Sequence, residues 1–340
     1  MKVLLRVLLC IYLPLVVPTL SSRPIAAQAV DAQTDPLPSW NDTAPKKSII
    51  AFVQRVTKDG SPDFVPVADR IATFDNDGTL WVEYPAYTQI TFSFARVKQL
   101  APRHPEWKAT QPFEGILDGD MKAVAATGMK GIEQVVVATS TGMSNQQFEQ
   151  DVSTWIAHAH DRKFDQLYTQ LIYQPMVELL AYLRANGFKT YIVSGGDVEF
   201  MRPWTEKAYG IPPEQVVGTR MKTQFQMQNG KPVIMRLPAI DFIDDGPGKP
   251  IGIATVIGKR PIAAFGNSDG DLQMLEWTAA GPGARLMLLV HHTDGVREYA
   301  YDRKSSVGKL DKALDIANAR GWTVVSMKDD WKEIFDFESK

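Results

Sequence analysis

The sequence predicts an α/β fold: a Rossmann-like three-layer α/β/α core with a parallel sheet, and a helical cap domain inserted into that core. Three features of the chain support this prediction. An apolar run, residues 70–75 (RIATFD), ends in an acid and reads as a buried strand. Short apolar runs alternate with helix patterns from residue 176 onward, which favours a parallel sheet. The mostly helical stretch between them is too long to be a simple crossover.

Composition excludes several classes of protein. The chain has 340 residues, of which 44% are hydrophobic and 22% charged, so disordered, collagen-like and coiled-coil proteins are excluded. Lys and Arg number 37 against 39 Asp and Glu, which gives no general electrostatic case for binding nucleic acid. The single cysteine, Cys10, excludes a disulfide scaffold and a cysteine-rich zinc site.

Residues 1–29 have the pattern of a secretory signal peptide. Lys2 and Arg6 precede the apolar run 7–17 (VLLCIYLPLVV), and Ala27-Gln28-Ala29 has the small-x-small pattern of a cleavage site. The run is shorter than the roughly 20 apolar residues that span a bilayer, so we expect no stable membrane span after cleavage. An uncleaved anchor is the alternative. The expected location is secreted or periplasmic.

The remaining chain divides into a leader and two interleaved domains. Residues 30–46 are polar and proline-bearing and read as a leader or linker. We assign 47–85 and 176–340 to the catalytic core and 86–175 to the helical cap. Within the cap, helix patterns are predicted at residues 89–100, 118–127, 144–160 and 164–172. Within the core, strands are predicted at residues 189–194, 216–221, 261–265, 284–290 and 322–326, with a hairpin over 225–235.

Three predicted strands end in loops that are rich in polar side chains. These loops contain Asp75–Thr79, Ser194–Asp197 and Gly266–Asp271, and Lys249 precedes the third strand. In parallel sheets the ligand binds beyond the carboxyl ends of the strands. Several acids, one hydroxyl and one lysine at such an edge suit an anionic ligand together with a hard cation.

These loops carry a family resemblance. The segment DNDGTLW, residues 75–81, resembles the first signature of the haloacid dehalogenase-like hydrolases, a superfamily of aspartate-nucleophile phosphatases. The segment IVSGG, residues 192–196, resembles the second signature, Lys249 the third, and GNSDGD, residues 266–271, the fourth. The order of the motifs also matches. The helical insertion resembles the cap of the branch that contains phosphoserine phosphatase-like proteins.

The resemblance implies catalytic roles for two acids, and these roles agree with the chemistry of the side chains. Asp75 is expected to attack phosphorus, because a carboxylate is ionised at neutral pH and needs no activating base. Asp77 is expected to protonate the leaving alkoxide and then to accept a proton from water, which requires a raised pKa. Dehalogenases expel halide, need no such proton and lack this second acid, so Asp77 favours a phosphatase.

The other motif residues are expected to hold phosphate and metal. The Ser194 hydroxyl, the Gly195 N–H and Lys249 would bind the phosphoryl oxygens. The resemblance implies a Mg²⁺ cofactor with four protein residues in or near its ligand shell: Asp75, Asp77 through its carbonyl, Asn267 and Asp271. The family often has Asp where this chain has Asn267, so metal affinity could depend more on Asp271, and Asp269 is a further candidate helper.

Several residues allow two interpretations. Lys259 competes with Lys249, but it lies two residues before the strand at 261 and leaves no room for the preceding helix. Trp81, Glu83 and Tyr84 are candidates for contact with substrate. Glu83 resembles the glutamate that faces the substrate amine in phosphoserine phosphatases, with a rim carboxylate as the alternative. The histidine pairs 158/160 and 291/292 lack an obvious third zinc ligand, so ordinary edge histidines are expected.

Taken together, these features predict an exported, Mg²⁺-dependent phosphomonoesterase, a hydrolase that acts on a small phosphate ester through an aspartyl-phosphate. A phosphotransferase or a phosphoserine-type phosphatase is the alternative within the same chemistry. The alternative from another class is an exported binding protein that retains the fold without turnover. The predicted partner is a small-molecule phosphate ester, with no nucleic acid. The sequence does not specify an oligomeric state.

Overall fold

A computed structural model of the chain describes residues 35–339. The predicted signal peptide, residues 1–29, and the first part of the leader lie outside the described residues. A seven-stranded sheet forms the centre, in the order β6-β5-β4-β1-β7-β8-β9, and a separate two-stranded sheet pairs β2 with β3. The strands are β1 Ile71–Phe74, β2 His160–Asp161, β3 Gln166–Leu167, β4 Lys189–Asp197, β5 Val216–Gln228, β6 Lys231–Phe242, β7 Ala263–Gly266, β8 Leu286–His291 and β9 Thr323–Ser326.

Helices flank this sheet and fill the segment between β1 and β4. Those up to the end of that segment are α1 Ala44–Thr57, α2 Thr88–Leu100, α3 Phe113–Asp118, α4 Met121–Ala126, α5 Gly128–Ser140, α6 Asn145–Ile156 and α7 Gln174–Ala185. Those that follow are α8 Val198–Tyr209, α9 Gly248–Val256, α10 Leu272–Ala279, α11 Lys312–Arg320 and α12 Met327–Asp330.

Strand β1 lies in the middle of the main sheet, and all four of its residues are buried. It pairs in parallel with β4 on one side and with β7 on the other. Phe74 on β1 stacks on Phe265 of β7 with ring centroids 4.2 Å apart. A short, wholly buried apolar strand is typical of the middle of a parallel sheet. The predicted α/β class with a Rossmann-like core is confirmed, and only β6 runs antiparallel to its neighbour in the main sheet.

The insertion after β1 is mostly helical, but its elements differ from the prediction in three places. Helix α3, Phe113–Asp118, precedes the predicted helix at 118–127 and was not predicted. Residues 164–172, predicted as a helix, contain strand β3 and a short 3-10 turn, Tyr168–Gln170. Helix α5 was not predicted, because its sequence GMKGIEQVVVATS has two glycines and three consecutive valines, which are weak helix formers. The helix predicted from residue 144 is present as α6, and Ser144 caps it through a capping box with Gln147.

The hairpin of β5 and β6 is longer than predicted and reaches the insertion. Its turn lies at Asn229 and Gly230, as the sequence indicated, but β5 runs without interruption from the sheet edge to that turn. Arg236 on β6 is buried, donates to the Ser140 carbonyl at the end of α5, and packs 4.1 Å from the Phe148 ring centroid. The hairpin therefore fixes α5 and α6 beside the sheet. The domain limits at 86 and 175 remain a prediction.

No helix within residues 35–339 combines the length and the apolar character needed to cross a bilayer.

Candidate active site

A cavity of about 460 Å³ opens at the carboxyl edge of the sheet. At one end its wall is formed by residues from the strand-end loops: Asp75, Asp77, Ser194, Gly195, Lys249 and Ser268. At the other end its wall comes from α2, α5 and the β5–β6 hairpin. The loops that the sequence placed at one sheet edge are thus brought together, as expected for a parallel α/β sheet.

Lys249 connects two of the predicted loops. It lies in the first turn of α9, is 2% exposed, and its Nζ donates to Asp75 Oδ1 and to Asp271 Oδ1, each at 2.6 Å. A third bond runs to the Val193 carbonyl at 2.9 Å. Burial opposes the positive charge, but the Asp271 and Asp75 carboxylates outweigh it and raise the pKa of the Lys249 ammonium. This lysine therefore stays charged.

Asp75 lies directly after β1, and its backbone N–H donates to the Phe265 carbonyl of the neighbouring strand at 2.9 Å. Burial raises the pKa of the Asp75 carboxyl well above its ordinary value, and Asp271 adds to the shift while Lys249 opposes it. Its bond to Lys249 favours the ionised form that a nucleophile needs.

Asp77 is half-buried and lines the same cavity. Burial raises the pKa of its carboxyl to about 6, although the hydrogen bond from Trp81 Nε1 to Asp77 Oδ1, 2.9 Å long, opposes the shift. A carboxyl with this pKa can hold a proton and release it near neutral pH, as a general acid and base requires. Trp81 keeps this side chain in place.

Ser194 and Gly195 occupy the end of β4, where the strand departs from regular pairing with β5. The Ser194 side chain is buried, and its Oγ accepts from the Gly196 N–H at 3.1 Å. Asp197 follows, caps α8 by accepting from the Glu199 N–H, and pairs with the buried Arg236. The β4 loop is thereby tied to the hairpin and, through Arg236, to α5.

Asn267 and Glu83 form a buried pair beside the nucleophile loop. Asn267 Nδ2 donates to Glu83 Oε1 at 2.6 Å, and Tyr301 donates to the same oxygen at 2.9 Å. Burial raises the pKa of the Glu83 carboxyl well above its ordinary value, and Asp75 and Asp77 add to the shift. Gly78 has a φ of +75°, and a Cβ there would lie 2.2 Å from Asn267 Nδ2, so only glycine fits.

The donor atoms of the site suit a small hard cation. Lys249 pairs with Asp75 and Asp271, and the carboxyl groups of Asp77 and Glu83 lie close to that of Asp75, so the acids of the site outnumber its one ammonium. Asn267 Oδ1 accepts one hydrogen bond, from Thr79 Oγ1 at 3.0 Å, and an amide oxygen has a second lone pair.

Residues 35–339 contain no group of three or more His, Cys, Asp or Glu side chains arranged to bind a metal by themselves. A cation here would therefore also need amide and carbonyl oxygens and water, which is the way that Mg²⁺ is usually held.

Some residues singled out in the sequence lie away from the cavity. Trp81 is 0% exposed and stacks on Trp204 with centroids 4.3 Å apart, so it supports Asp77 and cannot meet a substrate. Tyr84 stacks on Tyr301 at 4.9 Å, outside the cavity wall. Asp269 accepts from the N–H groups of Asp311 and Ala313 at the start of α11, which gives it a structural role.

Lys259, the rival of Lys249, pairs with Asp69 at 2.6 Å on the surface. Glu83, in contrast, lines the cavity and is 3% exposed, so it is not a rim carboxylate.

Other residues of the site were not assigned to it from the sequence, and the expectation of an ordinary edge histidine was wrong for His292. His292 is buried, and its Nε2 lies 2.8 Å from the Gly78 carbonyl, where it holds the nucleophile loop. Gln89 Oε1 accepts from the Asp197 N–H at 2.8 Å and also lines the cavity. Arg236 and Tyr301 contact Asp197 and Glu83, from which they are far apart in the sequence. Each is an isolated polar residue without a motif, so the available signal was only its own residue type.

Comparison with known proteins agrees with this arrangement. The family described as haloacid dehalogenase-like hydrolase matches residues 72–276, which is more than half of the chain and contains all four motifs. Comparison with curated proteins finds no match.

Three solved structures are similar to this chain. A conserved protein of unknown function from Anaerococcus prevotii shows a TM-score of 0.53 and 15% identity, with 83% of this chain and 91% of that chain covered. A protein with unknown function from Bordetella pertussis Tohama I shows a TM-score of 0.47 and 16% identity, with 76% of this chain and 99% of that chain covered. A phosphoserine phosphohydrolase-like protein from Francisella tularensis shows a TM-score of 0.37 and 16% identity, with 66% of this chain and 89% of that chain covered.

The family resemblance read from the sequence is therefore confirmed, and with it the prediction of an enzyme of the hydrolase class. The chain belongs to the haloacid dehalogenase-like hydrolases.

Proposed function

We propose that this hydrolase is an exported, Mg²⁺-dependent phosphomonoesterase that acts on a small phosphate ester through an aspartyl-phosphate. The observation that carries the proposal is Lys249, whose buried ammonium bridges Asp75 and Asp271 at 2.6 Å in a cavity that Asp77 and Ser194 also line. A buried cation beside a strand-end carboxylate is what an anionic phosphoryl group requires. Export is supported by the signal-peptide pattern of residues 1–29.

The first step transfers the phosphoryl group to the protein. A carboxylate oxygen of Asp75 attacks phosphorus, and the bond from phosphorus to the ester oxygen breaks. Asp77 gives its proton to the departing alkoxide, so that the alcohol leaves neutral. The Ser194 hydroxyl and the Gly195 N–H donate to phosphoryl oxygens, and Lys249 offsets the negative charge that spreads over them in the transition state.

The second step regenerates the carboxylate. Asp77, now ionised, accepts a proton from water as the water oxygen attacks phosphorus. The bond from phosphorus to the Asp75 oxygen breaks, and inorganic phosphate is released. The pKa of Asp77, near 6, allows it to hold the proton in the first step and accept one in the second.

The metal is expected at the Asp75 end of the cavity. Asp75 through its carboxylate, Asp77 through its carbonyl oxygen and Asn267 through its amide oxygen would hold Mg²⁺, with Asp271 next to them. When bound, Mg²⁺ supplies positive charge to the phosphoryl oxygens. Asn267 is neutral, and its amide donates to the buried Glu83 carboxyl group beside it.

The direct test compares phosphate release by the wild-type protein and by Asp75→Asn, with Mg²⁺ and with EDTA. We expect the substitution to lower kcat by about 10³-fold or more, because the amide cannot form the acyl phosphate. EDTA should abolish the wild-type activity, and acid-quenched wild-type protein should carry one phosphoryl group on Asp75 by mass spectrometry. Asp69→Asn, at the surface pair with Lys259, is the matched control and should keep full activity.

Undiminished turnover in Asp75→Asn would overturn the nucleophile assignment. Binding of phosphate without release from any ester would indicate the binding protein instead. Transfer of phosphate to added alcohols, at the expense of release, would indicate the phosphotransferase.

A further inference from the structure

The end of the cavity away from Asp75 has an apolar wall. Three elements form it: α2, the insertion helix α5 and the β5–β6 hairpin. Their apolar side chains on the cavity include Ile90, Met129, Ile132, Val136, Met221 and Ile240. We call this surface the apolar wall. An ester whose phosphate is held at Asp75 has its alcohol in this same cavity, and these three elements supply the apolar part of the cavity wall.

The cavity offers no free positive charge to a substrate. Among the described residues that line it, Lys249 is the one basic side chain, and it is buried against Asp75 and Asp271. Two exposed acids also line the cavity: Glu133 on α5, and Asp245, which lies against Gly195 and Gly270 of the strand-end loops. A carboxylate or a second phosphate on the leaving alcohol would lose its hydration there without gaining a counter-ion.

The one buried acid that could meet a substrate amine is already engaged. Glu83 accepts from Asn267 Nδ2 at 2.6 Å and from the Tyr301 hydroxyl at 2.9 Å, and it lies beside the nucleophile loop rather than on the apolar wall. The carboxylate of phosphoserine would thus lie among Ile, Met and Val side chains and the acids Glu133 and Asp245, with no free cation to pair with. The cavity therefore offers no partner for the carboxylate of such a substrate.

We propose that the substrates are phosphate monoesters of uncharged, apolar alcohols, alkyl or aryl, and that the apolar wall determines this specificity. The inference rests on the proposed phosphomonoesterase function. Contact with α5 and the hairpin removes apolar surface of the alcohol from water, and each methylene buried in this way is expected to raise kcat/KM by about threefold. The exposed Met129, 80% accessible in the free protein, becomes covered when a longer alcohol binds.

The experiment measures kcat/KM of the full protein with Mg²⁺ for methyl, butyl, hexyl and phenyl phosphate, and for phosphoserine and phosphoethanolamine. We expect a rise of at least tenfold from methyl to hexyl phosphate, and phosphoserine at least a hundredfold below hexyl phosphate. A flat alkyl series, or a higher value for either charged ester than for hexyl phosphate, would overturn the inference while leaving the phosphomonoesterase intact. Release of phosphate from none of the esters would overturn the proposed function itself.

A variant tests the apolar wall directly. Met129→Arg places a cation on the wall at an exposed position, where the substitution is compatible with folding. It should lower kcat/KM for hexyl phosphate by about tenfold and raise it for phosphoserine, so that the preference between these two esters becomes smaller. Gln134→Arg introduces the same charge on an exposed position of the same helix, outside the cavity lining, and is the matched control. Equal effects of the two substitutions on hexyl phosphate would show that the wall does not select the alcohol.

Discussion

The two ends of the cavity are built in different ways. At the phosphate end, Asp75 and Asn267 directly follow β1 and β7, Ser194 lies near the end of β4, and Lys249 belongs to the first turn of α9. Each is held by hydrogen bonds to another motif or to a strand end. At the apolar end, the wall comes from the insertion and the hairpin, and its side chains meet the cavity through packing alone.

The difference separates chemistry from selection. Hydrogen bonds and ion pairs in a buried site impose exact geometry, so a change at the phosphate end should affect the reaction of every ester and the stability of the fold. Apolar contacts tolerate exchange of shape and affect only the part of the substrate that touches them. The following variants test this contrast.

The largest effect is expected from Lys249→Met, because it removes the cation shared by Asp75 and Asp271. The two carboxylates would then be buried without a cation, which should lower the free energy of unfolding by about 3–5 kcal/mol and kcat/KM by about 10³-fold for every ester. Urea denaturation and initial rates measure both. Lys259→Met breaks a surface pair with Asp69 and should lower the free energy of unfolding by less than about 1 kcal/mol. If the two variants lose the same stability, the buried cluster is not the support we describe.

Asp77 protonates the ester oxygen in the proposed first step, so the effect of replacing it should depend on the alcohol that leaves. Asp77→Asn should slow the first turnover of butyl phosphate by about 10²–10⁴-fold, because the alkoxide then leaves without a proton. The first turnover of p-nitrophenyl phosphate should slow much less, because its leaving group, a phenolate, is a weak base and needs no proton. The pKa of Asp77, raised to about 6 by burial, means that the proton is present below pH 6 and lost above it.

The wild-type rate on butyl phosphate should therefore fall as the pH rises above 6, and Asp77→Asn should lack this fall. Rapid-mixing measurements of the first turnover decide the matter. Equal slowing of both esters would show that Asp77 is not the acid of the first step.

The contrast between the two ends also explains what could be predicted from the sequence. In strand-end loops the functional residues are adjacent in the sequence, so residues 75–79 and 266–271 could be identified as motifs. The topology of the parallel sheet then places these two loops at the same edge. Lys249 was separable from Lys259 because a helix must fit between the lysine and β7. The strands could also be predicted from the sequence, since short apolar runs bounded by glycine and acids are typical of buried parallel strands.

The apolar wall was not predictable in the same way. Helix α5 has a weak helical sequence that tertiary contacts stabilise, among them the bond from Arg236 to the Ser140 carbonyl. Arg236 and Asp197 lie 39 residues apart in the sequence, and their pairing depends on how the long hairpin folds back. Contacts of this kind have no local period or motif. Trp81 was assigned to the substrate because aromatics near a nucleophile are often exposed, but its indole is needed to hold Asp77.

The smallest and most specific effect is expected at the pair of Asn267 and Glu83. Asn267→Asp replaces the amide that donates to Glu83 Oε1 at 2.6 Å by a second carboxylate, so the two acids repel each other. The free energy of unfolding of the metal-free protein should fall by about 1–2 kcal/mol at neutral pH. Because the pKa of Glu83 is already raised by burial, a shared proton relieves the repulsion at low pH, and the loss of stability should grow as the pH rises.

Adding Glu83→Gln to Asn267→Asp exchanges donor and acceptor and should recover most of that stability, with a coupling of about 1 kcal/mol or more in the double-mutant cycle. Mg²⁺ should stabilise the Asn267→Asp single variant more than the wild type, because a bound cation offsets the added charge. Thermal unfolding with and without Mg²⁺ measures this difference independently of activity. Additive effects of the two substitutions, with no added response to Mg²⁺, would mean that Glu83 and Asn267 do not act together at the metal end of the cavity.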